Sequence, residues 1–364
     1  MEQVEVVVIG AGQAGLSSAY HLRRFGFEPL VLDAGDGPGG AWRHRSPSLT
    51  MDKVHGIFDL PGIRRPDAAD GTRPAAEVVP EYYADYERRA GLAVVRPVAV
   101  SAVRGEGTRL VVTSDAGEWA ARAVVNATGT WTRPYWPYYP GAGEFAGRQL
   151  HYAAYQGPAE FAGRRVIVVG GGASAMHVLS EIGGVAAART WVTRRPPVWR
   201  DDDFDEDARR EAVALVEERV RQGLPPQSVV GVTGLSHTPV VRRALADGTL
   251  RREPMFARIT EHGVRWADGR ETAADVIVWA TGFRSALDHL APLRLREPGG
   301  GIKVDGTRVA REPRLQLVGY GPSASTVGAN RAGRAAAVNV RDLLRGTRAG
   351  GGDPLSPGVA QPAA

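Results

Sequence analysis

Short apolar runs alternate with helix-period stretches along this chain, and the order recurs. Val4 to Ile9 is a β-branched run, as a parallel strand buried on both faces requires. Leu16 to Phe25 predicts a helix ended by Gly26, and Pro29 to Leu32 a second strand. Aromatic and aliphatic residues at helical spacing predict a surface helix over Val79 to Ala90, stopped by Gly91. Val94 to Val103, Arg109 to Thr113 and Ala120 to Val125 predict three strands, with turns at Gly105-Gly107 and Asp115-Gly117. They close in Asn126-Ala127-Thr128-Gly129.

The second half repeats that pattern. Arg165 to Val169 is again a strand, Ala175 to Ile182 a helix and Thr190 to Thr193 a strand. Ile259 to Glu261, Gly263 to Trp266 and Val276 to Trp279 follow as strands, closing in Ala280-Thr281-Gly282. Gly10 lies 119 positions before Gly129, and Gly170 lies 112 before Gly282, so one plan occurs twice. Between the halves of the second copy, Asp201 to Gln222 is an acidic cluster followed by a helical pattern, and Gly223 to Pro239 is rich in Pro and Gly. A solvated excursion is expected there, with a lid as the alternative. Leu315 to Gly319 then reads as a strand, Ser325 to Val340 as a helix, and the Gly-, Pro- and Ala-rich tail from Gly346 as disordered.

Composition narrows the chemistry. With 364 residues the chain suits two or so domains, and with no cysteine it has no dithiol, thiolate metal site or iron-sulfur cluster. The formal charge of +5 comes from arginines interspersed with acids, without a basic stripe, so nucleic acid is not an expected partner. The first residues carry acids where a signal peptide needs bases, and no apolar run approaches the ~20 residues of a membrane span. A soluble, cytoplasmic protein is expected.

The chemistry sits where strands meet helices. Gly10, Gly12 and Gly15 are spaced GxGxxG between the first strand and helix, and Asp33 follows 23 residues after Gly10. The glycines allow a tight turn, backbone approach to a diphosphate and close helix-strand packing, while the acid accepts from ribose hydroxyls. Gly170, Gly172 and Ala175 repeat the fingerprint with Ser174 inside it, but Arg194 and Arg195 stand where the acid stood. An acid repels a 2′-phosphate and an arginine binds it through a fork, so the second site is expected to take NADPH, with NADH admitted. Two Rossmann-like domains follow, an α/β fold with the second domain (156–282) inserted into the first (1–155 and 283–345), leaving the tail 346–364.

Other residues carry a family resemblance. Gly39-Gly40 followed by Trp42 resembles the loop that carries the diphosphate and flavin ring in FAD-dependent monooxygenases. Phe145, Gly147, His151 and Tyr155 fit FxGxxxHxxxY, which is similar to the signature of class B flavin monooxygenases, most of all the small bacterial flavin-containing monooxygenases. The resemblance covers residues 1 to about 345 and implies a three-layer ββα two-dinucleotide flavoprotein plan. It implies FAD at Gly10, Gly12, Gly15, Asp33, Gly40, Trp42, Val100, Ala127, Thr128, Gly129, Gly319 and Tyr320. For the nicotinamide cofactor it adds Thr281 and Gly282. It implies an NADPH-consuming monooxygenase that forms a C4a-hydroperoxyflavin and oxygenates a soft sulfur or nitrogen.

Molecular oxygen and a small molecule are then the partners, with a homodimer open and no metal. His151 is carried over as a positional, cofactor-organising residue and as a candidate for chemistry. Many members place an asparagine supporting the oxygen adduct where this chain has Asp52. Baeyer-Villiger members usually continue the signature with Trp-Pro, where Tyr155 stands here, so ketone oxygenation is the alternative; an NADPH oxidase or reductase is the other.

Overall fold

The computed structural model describes residues 1–349 apart from 55–56, 66–69, 201–205, 228–233, 237–238, 247, 249 and 325. Its first sheet has nine strands. Along its main path lie Val304–Asp305, Arg308–Val309, Leu315–Leu317, Gly117–Asn126, Glu2–Ile9, Leu30–Leu32 and Val94–Val95. Val100–Glu106 and Arg109–Ser114 extend antiparallel from Gly117–Asn126. Five strands make the second sheet, all parallel: Arg252–Glu253, Ala188–Val192, Arg165–Val169, Val276–Trp279 and Arg148–His151. A three-stranded antiparallel meander, Arg258–Thr260, Gly263–Arg265 and Glu271–Ala273, accompanies it.

The apolar runs explain the layers. Successive strand residues face opposite ways, so Val6 and Val8 pack under the helices Gln13–Arg24, Ala75–Arg89 and Thr326–Ala349, whereas Val7 and Ile9 pack under the meander. Val166 and Val168 face the helix Ala173–Glu181, while Ile167 and Val169 face the second meander. Each unit therefore has helix, parallel sheet and antiparallel sheet in three layers, as expected for the two-dinucleotide flavoprotein plan.

The helix Ala75–Arg89 is a surface helix as expected, exposing Glu77, Glu81, Arg88 and Arg89 and burying Val79, Tyr82, Tyr83 and Tyr86 in the first core. Three expectations change. The strand Arg148–His151 lies within the stretch assigned to the first domain, yet it pairs with Val276–Trp279 at the edge of the second sheet. The stretch after Asp201 is not simply solvated: Glu206–Arg221 is a helix that buries Val216, and its Val220 joins Leu287 and Tyr320 in the core of the first unit. The last helix runs to Ala349, past Gly346, and residues 350–364 of the expected tail lie outside the described residues. Among the described residues no helix is long and apolar enough to cross a membrane.

Candidate functional site

Glycine geometry builds the site. A Cβ on Gly10, whose φ is +98°, meets the Ala127 carbonyl oxygen at 2.6 Å, and one on Gly15 meets the Gly10 oxygen at 1.9 Å. Loop, helix and the first Ala-Thr-Gly turn are thus packed at backbone distance. Gly12 differs, since a Cβ there meets nothing within 4 Å. It opens onto a cavity of about 620 Å³.

Of the first-site residues expected from sequence, Gly10, Gly12, Asp33, Gly40, Trp42, Val100, Ala127, Thr128, Gly129 and Gly319 line that cavity. Gly15 is buried beneath it. Tyr320 is not part of the lining: its hydroxyl accepts from the Ile302 amide at 2.9 Å in the core, while Gly319 keeps the cavity wall. Asp52 is also off the lining: it is exposed and accepts from the Thr50 hydroxyl at a surface turn.

The first-site residues fit a flavin dinucleotide. The helix Gln13–Arg24 starts without a side-chain cap, so its first-turn N–H groups are available to an anion. Asp33 accepts from the Ala11 amide and from Arg96, both at 3.3 Å, and Arg96 also donates to both oxygens of Glu87 at 2.7 and 2.8 Å. This arginine, invisible as a motif, holds Asp33 in place.

His289 also lines the cavity and was missed by sequence reading, because nothing around it forms a motif. The Asn126 amide nitrogen donates to Thr128, which turns its oxygen toward His289 Nε2 at 2.6 Å. Nε2 therefore carries the proton. Burial pushes the imidazole pKa down to about 4. Folding thus favours the neutral ring: as pH falls below about 6.5 the unfolded chain gains a proton that the folded chain refuses until near 4. Stability is lost over that window, by about 2 to 3 kcal/mol. Thermal melts at pH 7 and 4.5 should show His289→Gln with a smaller pH loss than the parent; equal losses would refute the assignment.

The second loop follows the same steric logic. A Cβ on Gly170 meets the Ala280 oxygen at 2.3 Å, Gly172 meets nothing within 4 Å, and Ala175 is fully buried. The helix Ala173–Glu181 likewise lacks a side-chain cap, and Ser174 lies in its first turn. Arg194 and Arg195 are exposed, and neither has an ion-pair partner among the described residues. Their backbone is held from behind: buried Thr193 donates to the Arg195 carbonyl at 2.7 Å, and Arg252 donates to the Thr193 hydroxyl at 2.7 Å.

The two units meet along an aromatic seam. Trp131, just past the first Ala-Thr-Gly, stacks on Phe283, just past the second, with centroids 4.9 Å apart. The Arg45 guanidinium lies over the other partner ring, 4.4 Å from the Trp131 centroid. Burial lowers the Arg45 pKa, with neighbouring Tyr152 opposing that effect. Phe283 also meets His151 edge-on at 5.0 Å.

His151 is 2% exposed and both its ring nitrogens are taken. Nδ1 accepts from the Ala153 amide at 3.1 Å, so Nε2 donates to the Gly282 carbonyl at 3.0 Å. Burial lowers its pKa against the help of that bond. The other signature residues pack rather than line the cavity. Gly147 leaves room for the Asp275 carbonyl and the Phe145 ring, both 2.5 Å from any Cβ placed there. Tyr155, 1% exposed, donates to Glu181 at 2.8 Å, and Ser48 from the flavin-side loop donates to the same carboxylate at 2.6 Å. Thr281 donates to the Tyr135 carbonyl, tying the second Ala-Thr-Gly to the linker.

Residues 7–304 match the model of the pyridine nucleotide-disulphide oxidoreductase family. The chain is similar to the flavin-containing monooxygenase from Stenotrophomonas maltophilia, at 40% identity over 94% of this chain and 100% of that one, with a TM-score of 0.79. It is 30% identical to an indole-3-pyruvate monooxygenase of Oryza sativa subsp. japonica, over 77% of this chain and 76% of the relative. Cyclohexanone monooxygenase in its open form shares the fold, with a TM-score of 0.65 at 20% identity, covering 96% of this chain and 89% of that one.

Proposed function

Because this chain belongs to the pyridine nucleotide-disulphide oxidoreductase family, and within it to the flavin-dependent monooxygenases, we propose that it is a cytoplasmic enzyme that uses NADPH and molecular oxygen to oxygenate the sulfur or nitrogen of a small molecule. FAD and NADPH are the cofactors of these enzymes. The disulfide chemistry in the family's name has no counterpart here, since the chain has no cysteine.

The aromatic seam carries this reading: the residues that follow the two Ala-Thr-Gly turns stack on each other, so the two turns meet at one junction. FAD in the large cavity supplies the oxygen-activating chemistry when reduced. The chain's own part is binding, orientation and exclusion of water. The uncapped first turn of Gln13–Arg24 faces the anionic diphosphate, Gly12 lets backbone reach it, and Asp33 accepts from ribose. Trp131, Phe283 and Arg45 close the junction against solvent. His151 fixes the Gly282 carbonyl, and with it the turn that faces the nicotinamide side.

The test is isotopic. The holoenzyme, given NADPH, methyl phenyl sulfide and ¹⁸O₂, should yield sulfoxide with one ¹⁸O atom, one water and one NADP⁺ per turnover. Unchanged sulfide together with hydrogen peroxide equal to the NADPH consumed would make the protein an NADPH oxidase instead.

Arg194 and Arg195 supply the cofactor preference in this proposal. Charge-assisted bonds to a 2′-phosphate from these exposed arginines are screened by solvent, to about 1 kcal/mol or a little more each. The Arg194→Ser, Arg195→Ser double variant should raise the KM for NADPH by roughly 10- to 100-fold and leave that for NADH within about twofold. Equal losses for both would remove the 2′-phosphate assignment.

A further inference from the structure

A second cavity, of about 490 Å³, adjoins the first and shares Arg43, His44, Arg45 and Trp131 with it. Its remaining wall includes Pro47, Pro74 and Ala76. The charges along this wall are not equivalent. Arg43 is paired with Asp36, and Glu77 with Arg73. Arg45 has no carboxylate partner among the described residues, and its Nε is buried without a hydrogen-bond partner. Its neighbours are the Tyr152 hydroxyl and two rings, Trp131 at 4.4 Å and Trp42 at 5.6 Å from the guanidinium carbon.

A half-buried cation without a counter-ion carries a desolvation cost, and cation–π contacts recover only part of it. An arginine so placed presents a planar fork suited to carboxylate or phosphate oxygens, beside a ring on which a flat ligand body can lie. We propose that Arg45 is the anion-recognition residue of this enzyme, receiving an anionic oxygen group at the neck between the two cavities. Two ligands can carry that group. One is a substrate bearing a carboxylate and seated in the second cavity. The other is the dinucleotide, because Tyr152, beside Arg45, also contacts Ser174 in the first turn after the second glycine loop.

The inference rests on the monooxygenase reading only for its choice of a sulfide probe. Binding is therefore measured without turnover, as perturbation of the flavin absorbance of oxidised holoenzyme, so failed oxygenation cannot be mistaken for failed recognition. The probes are 4-(methylsulfanyl)benzoate, its neutral benzamide and NADP⁺, against the parent, Arg45→Met and Arg45→Lys.

A substrate carboxylate is indicated if Arg45→Met weakens the benzoate at least tenfold, leaves the benzamide and NADP⁺ within twofold, and Arg45→Lys recovers part of the loss. A dinucleotide phosphate is indicated if NADP⁺ alone weakens at least tenfold and Arg45→Lys recovers it. The proposal is overturned if benzoate and NADP⁺ both stay within twofold, or if benzamide weakens as much as the anions. Arg45→Gln, read by the same criteria, replaces Arg45→Met if that variant does not retain flavin.

Discussion

Gly12→Val is expected to fold, and to purify without flavin. The backbone at Gly12 is extended, with φ −77° and ψ −173°, which valine adopts freely. A Cβ there meets no protein atom within 4 Å, so nothing in the fold resists the substitution. The added methyl groups instead occupy the cavity at the helix N-terminus, where the diphosphate must approach backbone. FAD affinity should fall by on the order of 100-fold or more, since both steric access and the dipole contact are lost.

Two companions make the result specific. Gly172→Val, at φ −115° and ψ 179° and equally free of neighbours, should leave FAD bound and abolish reduction by NADPH. Gly15→Ala should fail differently, because its Cβ meets the Gly10 oxygen at 1.9 Å and the loop itself must move. Flavin content by absorbance, with circular dichroism and thermal melts as the fold control, separates the three. A yellow Gly12→Val protein with parental FAD affinity would place the diphosphate elsewhere.

His151→Ala should be mainly a stability lesion. It removes a buried ring packed on Phe283 and leaves the Gly282 carbonyl and the Ala153 amide without their partner. Deleting a buried ring and orphaning two polar groups costs about 3 to 5 kcal/mol together. Nδ1 accepts, Nε2 donates and burial lowers the pKa, all of which favour the neutral ring. The pH profile of flavin reduction in His151→Ala should therefore keep the parental shape between about pH 6 and 9, and His151→Gln should regain part of the stability. An alanine variant with unchanged melting temperature and a lost acidic or basic limb would make His151 a proton-transfer group instead.

These two predictions also mark how far the chain could be read. The apolar runs at Val4–Ile9 and Arg165–Val169 announced two-faced strands, and Val6 and Val8 against Val7 and Ile9 divide between the layers accordingly. On Ala75–Arg89 the aromatic and aliphatic spacing marks a surface helix, whose inner face carries Val79, Tyr82, Tyr83 and Tyr86. The helix Glu206–Arg221 is less legible: its charges dominate the pattern, while burial rests on Val216 and Val220.

Among site residues the division follows range. Gly10, Gly12 and Asp33, and Gly170 and Gly172, are set by sterics within one strand-loop-helix unit, so spacing alone located them. The side chains of Tyr320 and Asp52 follow neighbours distant from any motif: the first meets the Ile302 amide in the core, the second the Thr50 hydroxyl at the surface.

By itself, then, the sequence determined the α/β fold class and the two strand-glycine loop-helix units, because those features depend on backbone conformation over a few residues. Only the tertiary structure decided that Trp131 stacks on Phe283, that His151 serves the Gly282 carbonyl, and that Arg45 and His289 reach the cavity wall. These contacts join residues 131 or more positions apart, as His151 and Gly282 are, or side chains without any motif. No local pattern encodes them, since they form only where segments distant in sequence pack together.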